Sequence, residues 1–191
     1  MSIQIEVPLI RGSSGATVIG LLVTLTEKHL DNYETFWKAR LQEAEAADKY
    51  FDWEWKQRVL VSSGEVEGYA IEHEQMTQGL MMIRTRGRRS FFDESRRIVY
   101  VSRLATAPWN RADLQTPVEF RAVGGTFMRF AQLRSEELGY GGLVGVHSLP
   151  EAEAFYRKLK MADCDLDEDY ENLRYFEWYR PRPSLMDELD L

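Results

Sequence analysis

Cysteine is nearly absent from this 191-residue chain: Cys164 stands alone. No intrachain disulfide and no site built on several thiolates can form, and a reducing, cytoplasmic setting is expected. Histidine is almost as sparse, with three residues, and no spacing of histidines and carboxylates suggests a metal site, so none is expected. Long apolar runs are lacking too. The longest, Ala16 to Leu25, is about half of the roughly 20 residues that a membrane span needs. Met1 to Arg11 has neither the basic start nor the apolar core of a signal peptide, so no membrane partner is expected. Excess positive charge is also missing: 24 Lys+Arg against 31 Asp+Glu leave −7, which argues against broad nucleic-acid binding while allowing a local basic patch. No repeat period appears. What is present, 44% hydrophobic and 29% charged residues, fits one globular domain, expected over residues 1–180, with a short acidic tail at 181–191 opened by two prolines.

Ile3, Ile5, Val7 and Leu9 alternate, which predicts a first strand ended by the turn residues Gly12 to Gly15. Val18 to Leu25 suits either a strand or a buried helix, and periodicity does not decide. Thr26 is a fitting N-cap for a helix over 27–47, with Leu30, Tyr33, Trp37, Leu41 and Ala44 at helical spacing. A second helical stretch follows around Asp52 to Val61. Tyr69, Ile71 and His73 alternate with Ala70, Glu72 and Glu74, and Leu80 to Ile83 is continuously apolar. This predicts a hairpin turning at Gln75 and Met76, its first strand half-exposed and its second buried. Ile98 to Thr106 reads as a strand stopped by Pro108. Phe120 to Leu138 reads as a helix with Val123, Phe127, Phe130 and Leu138 inward and Gly139 as its stop. Leu143 to His147 is a short buried strand, Ala152 to Leu159 a compact helix, and Leu173 to Tyr179 a last strand. The order is a mixed α/β plan.

Two segments are biased in charge. Arg84, Arg86, Arg88, Arg89, Arg96 and Arg97 fall within fourteen residues, as a solvated loop partly balanced by Asp93 and Glu94 or as a contact for phosphate or another anion. Asp163, Asp165, Asp167, Glu168, Asp169 and Glu171 form an acidic segment, as a solvated loop or a lure for a cationic amine.

The segment richest in chemistry is Arg121-Ala122-Val123-Gly124-Gly125-Thr126, a glycine-bearing turn opening into a helix. Glycines let a backbone approach a ligand closely, and the unpaired N–H groups of a helix start favour phosphate. The same pair of glycines also suits a plain tight turn. It is not the G-x-G-x-x-G dinucleotide fingerprint. The turn follows the strand ending Leu104-Ala105-Thr106-Ala107-Pro108 and precedes a second strand and the helix beginning His147-Ser148-Leu149-Pro150. In this arrangement residues 67 to 179, and most clearly 97 to 161, resemble the GNAT family of acyl-CoA-dependent N-acetyltransferases. Arg121, Gly124 and Thr126 match the first, fourth and sixth positions of its phosphate turn Q/R-x-x-G-x-G/A, with Thr126 in place of a small residue. The connection Trp109 to Phe120 is longer than is common in the family. Ser148 stands where an Asn is frequent, and Lys160-Met161 replaces a frequent Gly-Phe.

The resemblance implies an acyl-CoA N-acyltransferase fold: a central mixed, mostly antiparallel sheet flanked by helices, with a splayed pair of parallel strands that admits pantetheine. It implies acetyl-CoA as co-substrate, backbone contacts from Leu104, Ala105 and Thr106, and pyrophosphate on Arg121, Ala122, Val123, Gly124, Gly125 and Thr126. Ser148 joins these cofactor-binding residues by family position, although Ser148 and Glu151 also have the spacing of a capping box. Tyr156 is the implied proton donor to the departing thiolate, although it lies on an i, i+3, i+4, i+7 face with Ala152, Phe155 and Leu159 that a core tyrosine would equally occupy. The implied activity is transfer of acetyl to a primary amine of a small molecule, peptide or protein by direct attack on the thioester; a non-catalytic acyl-CoA-binding or protein-interaction module is the alternative. Glu72, Glu74 and His147 are candidates for the general base, and none is assigned. A homodimer is allowed, and the acceptor is unspecified.

Overall fold

A computed structural model describes residues 3–51, 53 and 64–179. Apart from Trp53, the helical stretch read around Asp52 to Val61 lies outside the described residues, as does the acidic tail. No helix among the described residues is long and apolar enough to cross a membrane. The chain forms two compact units, Met1–Arg84 with Val101–Arg129 and Thr85–Tyr100 with Phe130–Leu191.

In the first unit, β1 (Gln4–Arg11) and β2 (Thr17–Thr24) form an antiparallel hairpin, which settles the second apolar run as a strand. β3 (Val66–His73), β4 (Met76–Arg84), β5 (Val99–Thr106) and the two-residue β6 (Phe120–Arg121) complete the order β6-β1-β2-β3-β4-β5. The β3–β4 hairpin turns over Glu74 and Gln75, one residue earlier than the pattern suggests. Both have positive φ (49° and 64°), as a two-residue type I′ loop requires. Nor is β3 half-exposed: Gly68 to Ile71 are all buried, because Ala70 packs into the helix-covered core and its neighbours face the other side of the sheet.

The helix expected over 27–47 is three pieces, α1 (Glu27–Asn32), a π-helical turn Tyr33–Trp37 and α2 (Lys38–Glu43). The wider turn directs both Tyr33 and Trp37 inward, where their rings meet edge to face at 5.6 Å and join Trp53 and Trp109. With Leu30 and Leu41 they cover Ala70, Leu80, Met82 and Ala105. The long helix, α3, spans Val123–Glu137. It starts three residues later than the hydrophobic pattern suggests because Phe120 and Arg121 pair with Arg11 and Ile10 of β1. Val123 and Phe127 are fully buried, while Phe130 and Leu138 are only half-buried.

In the second unit Val99 N–H donates to Leu143 C=O (3.1 Å), where β5 runs parallel to β7 (Val144–Ser148). β9 (Leu173–Trp178) and β8 (Ala162–Asp167) follow in the order β5-β7-β9-β8, each antiparallel to its neighbour. The short helix α4 (Glu153–Lys158) is entered through a 3-10 turn at Pro150–Ala152. β8 is a strand where composition suggests an acidic loop; its register slips between Asp163 and Leu166, with Asp165 at φ 72°. Among the described residues the class is mixed α/β, with mostly antiparallel strands and a parallel pair.

Candidate active site

The glycine-bearing turn is held from two sides. Before it, Arg121 is anchored to β1 through β6, and its guanidinium lies 3.4 Å from Gly12 C=O. After it, Val123 and Phe127 press on Gly79 of β4, where a Cβ would fall 2.5 Å from the Phe127 ring, 2.7 Å from Val123 and 3.4 Å from Ala105 C=O. Gly79 is therefore where the start of α3, β4 and the end of β5 meet, and it brings Val123 and Ala105 of the sequence-predicted set together. Ala122 carries φ 73°, a left-handed conformation that costs an alanine about 1–2 kcal/mol. Thr126 N–H closes the first helical bond, to Ala122 C=O (2.8 Å). The amides of Val123, Gly124 and Gly125 precede that bond and belong to the first turn of α3, whose N–H groups have no partner within the helix. A Cβ on Gly125 would meet nothing within 4 Å, so there is room for a ligand beside these donors. The residues present fit a pyrophosphate.

The long connection does not displace the turn, because its ends are tied together. Glu119 N–H donates to Trp109 C=O (2.8 Å), and Phe120 N–H to Asn110 Oδ1 (2.8 Å). Buried Gln78 of β4 holds both leading residues, accepting at Oε1 from Trp109 Nε1 (2.8 Å) and Asn110 Nδ2 (3.0 Å). The intervening residues loop out, with Arg111 bonded to Asp48 and Asp113. Leu104 and Thr106 are half-buried and Ala105 buried on β5.

Ser148 and Tyr156 belong to the second unit. Ser148 does not form the capping box that its spacing suggests. It ends β7, is buried, and donates to Leu149 C=O (2.8 Å), while Ala152 occupies the N-cap of α4 without a side-chain bond. Pro150 forces a 3-10 turn between the serine and the helix. Tyr156 is 4% exposed and stacks on Phe176 at 5.6 Å. Burial, then the Tyr100 phenol, pushes its pKa well above the ordinary tyrosine value, so it stays protonated. Cys164 is no nucleophile: burial, then the nearby carboxylates, raises its thiol to about 12.

Among the base candidates, Glu74 lies in the hairpin turn, and Glu72 is occupied by Lys28 Nζ (2.9 Å) and His29 Nε2 (2.5 Å). His29 has no place in the sequence-derived set, yet it is 2% exposed and accepts from Thr26 N–H at Nδ1 (2.8 Å). Thr26-x-x-His29 has the spacing of a capping box with histidine in place of the usual glutamate, the one signal that points to it. His73 is engaged with Ile19 C=O and the Phe120 ring. His147 sits between Tyr100 and Asp167, 2.9 Å from each. Of the other acidic residues, Asp163 binds Arg157 and Arg174, and Asp165 binds Arg174, which removes much of the charge that an amine would feel. Glu177 is fully buried and accepts from Ser90 Oγ, Phe91 N–H (2.8 Å) and Tyr175 O–H (2.9 Å), pinning the arginine-rich segment to β9.

No protein-family model and no curated protein sequence matches the chain. Solved structures do. The PaiA N-acetyltransferase of Thermoplasma acidophilum, in complex with coenzyme A, superposes at a TM-score of 0.57 with 12% identity, over 83% of this chain and 97% of its own. The GNAT domain of S. lividans PAT gives 0.60 at 11% identity, over 92% and 96%. The Bacillus subtilis N-acetyltransferase YlbP, also with coenzyme A, gives 0.53 at 13%, over 94% and 97%. Sequence identity this low speaks to architecture, and the architecture is consistent: the chain has the fold of the GNAT N-acetyltransferases.

Proposed function

We propose that the protein is an acetyl-CoA-dependent N-acetyltransferase that transfers acetyl to a primary amine by direct attack on the thioester. The observation that carries this is the start of α3: a left-handed Ala122 leading into a first helical turn with open space at Gly125, in a chain whose fold neighbours include two coenzyme A complexes. The amides of Val123 to Gly125 would hold the pyrophosphate with the positive end of the helix behind them, and backbone groups of Leu104 to Thr106 would pair with pantetheine. An N–H near Leu104 or Ala105 would stabilise the oxyanion that develops on the carbonyl. Tyr156 would give its proton to the departing thiolate sulfur, since its phenol is protonated at neutral pH. Ser148 would contribute through the backbone at the end of β7 or as an acceptor, since its hydroxyl proton is given to Leu149 C=O.

Tyr156→Phe tests this reading in a thiol-release assay with acetyl-CoA across polyamines, aminoglycosides, amino acids and lysine peptides. The expected result is a loss of about 100-fold or more in turnover with acetyl-CoA binding retained. The burial of Tyr156 against Phe176 favours the second reading, a non-catalytic acyl-CoA-binding module. On that reading neither form releases thiol in the presence of any acceptor, and both still bind acetyl-CoA.

A further inference from the structure

His147 lies in a polarised chain of hydrogen bonds that the coenzyme-binding reading does not use. Nε2 is 2.9 Å from Asp167 Oδ2, and Nδ1 is 2.9 Å from the Tyr100 hydroxyl. A carboxylate only accepts, so the imidazole proton belongs on Nε2, and Nδ1 turns its lone pair to Tyr100, whose O–H donates. Tyr170 stacks on the ring at 4.2 Å and 10°, and Tyr175 covers it at 4.8 Å. Arg88 lies over the rings of Tyr100 and Tyr170, at 4.6 and 4.7 Å. The charge-biased segments thus converge here, Arg88 from the arginine-rich one and Asp167 and Tyr170 from the acidic one. The His147 side chain is 5% exposed, whereas Asp167 is 35% exposed and gives the chain an outlet to water.

This sequence of hydroxyl, imidazole and carboxylate is the arrangement by which a base is oriented to take a proton from a hydroxyl. Burial holds His147 below the ordinary histidine value, and Arg88 acts the same way, against the pull of Asp167. At neutral pH the ring is therefore free to accept. The Tyr100 phenol also acts electrostatically on Tyr156, the hydroxyl proposed as the thiolate's proton donor.

We infer that Tyr100 and His147 form the proton-accepting relay of the acyl transfer, with Asp167 as a positioning residue. The inference rests on the N-acetyltransferase reading above. As the neutral amine's lone pair forms the C–N bond, the proton that nitrogen sheds passes to Tyr100 Oη while the Tyr100 proton moves to His147 Nδ1. The C–S bond breaks, and the sulfur keeps the electron pair and takes the Tyr156 proton. The imidazolium then returns its proton through water to the Tyr156 oxygen, so the cycle needs no other reactant.

The experiment measures thiol release over pH 5.5–9 with spermidine, an aminoglycoside and a lysine peptide as acceptors, for the wild type, Tyr100→Phe, His147→Gln, Asp167→Asn and Asp167→Glu, with an acetyl-CoA thermal shift on each. Tyr100→Phe keeps the ring beneath Arg88 and isolates the hydroxyl. Expected is an acid limb set by one proton in the wild type, and a kcat lowered by about 100-fold in Tyr100→Phe and His147→Gln with that limb abolished. Asp167→Asn shifts the limb and Asp167→Glu partly restores it, while KM for acetyl-CoA and the thermal shift hold throughout. Wild-type kcat and pH profile in Tyr100→Phe and His147→Gln would overturn the relay. So would a wild type that shows the acetyl-CoA shift but releases no thiol with any acceptor. Absence of the shift itself marks failure of the underlying reading.

Discussion

Gly79 and Gly125 sit 46 residues apart in sequence and serve one turn in opposite ways. A Cβ at Gly79 would strike Phe127 and Val123, so this glycine sets how closely α3 approaches the sheet; a Cβ at Gly125 would enter open space. Gly125→Glu is therefore expected to raise stability by about 1 kcal/mol, since glutamate is a better helix former than glycine and its charge suits a helix start. The same carboxylate competes for the turn amides, so the acetyl-CoA Kd should rise at least about tenfold. Urea unfolding and calorimetry on one preparation check both, and a variant that gains stability and keeps its affinity would remove the turn from the binding site. Residues 121–126 were legible as a glycine-bearing turn leading into a helix, which begins at Val123. The left-handed Ala122 was not, because nothing in an alanine announces positive φ, and neither were the partners of His29, which depend on β3 folding back over α1.

At the scale of elements, the connection between β5 and α3 decides whether the turn is delivered to the strand. Its twelve residues look like a departure from family proportions, yet Asn110 and Trp109 close the loop on Phe120 and Glu119 and hang it from Gln78. Asn110→Ala removes the acceptor for Phe120 N–H and two bonds to Gln78. Its expected cost is about 1–3 kcal/mol, with weaker acetyl-CoA binding, while Ala112→Ser at an exposed position of the loop should change neither; chemical denaturation and calorimetry separate the two. Most strands were legible because buried runs and alternation carry a period of two. β8 was not, since Asp163 and Asp165 read as solvated acids until Arg157 and Arg174 arrive from α4 and β9 to pair with them. The π-helical turn was likewise hidden, because Tyr33 and Trp37 satisfy ordinary helical spacing equally well.

For the whole molecule, the net charge of −7 conceals opposite charges that are used locally, Arg88 and Asp167 around His147 being the clearest case. The same groups set the response to acid. His29 and His147 are both held below the ordinary value of 6.5, by burial first, against the pull of Glu72 and Asp167 respectively. The unfolded chain therefore binds protons that the folded chain refuses, and stability is complete above about pH 6.5 and falls as pH drops toward the folded values. Burial would raise Glu72, but its bonds from Lys28 and His29 outweigh burial and hold it below 4.5, which adds a second loss that begins as pH falls through about 4.5. Melting temperature against pH should thus decline in two stages, and His29→Gln should lessen the upper one; a flat profile from pH 7 to 5 would contradict it.

The claim that joins these scales is that the start of α3 holds the pyrophosphate of acetyl-CoA. Its most direct test is a calorimetric titration of the wild type and Gly125→Glu with acetyl-CoA and with CoA up to near-millimolar concentration, followed by a melt at saturation. Saturable binding to the wild type, weakened in Gly125→Glu, is predicted, with a stabilisation of about 2.7 kcal/mol at a hundredfold excess over Kd. No heat and no shift in melting temperature for the wild type with either ligand would contradict the account.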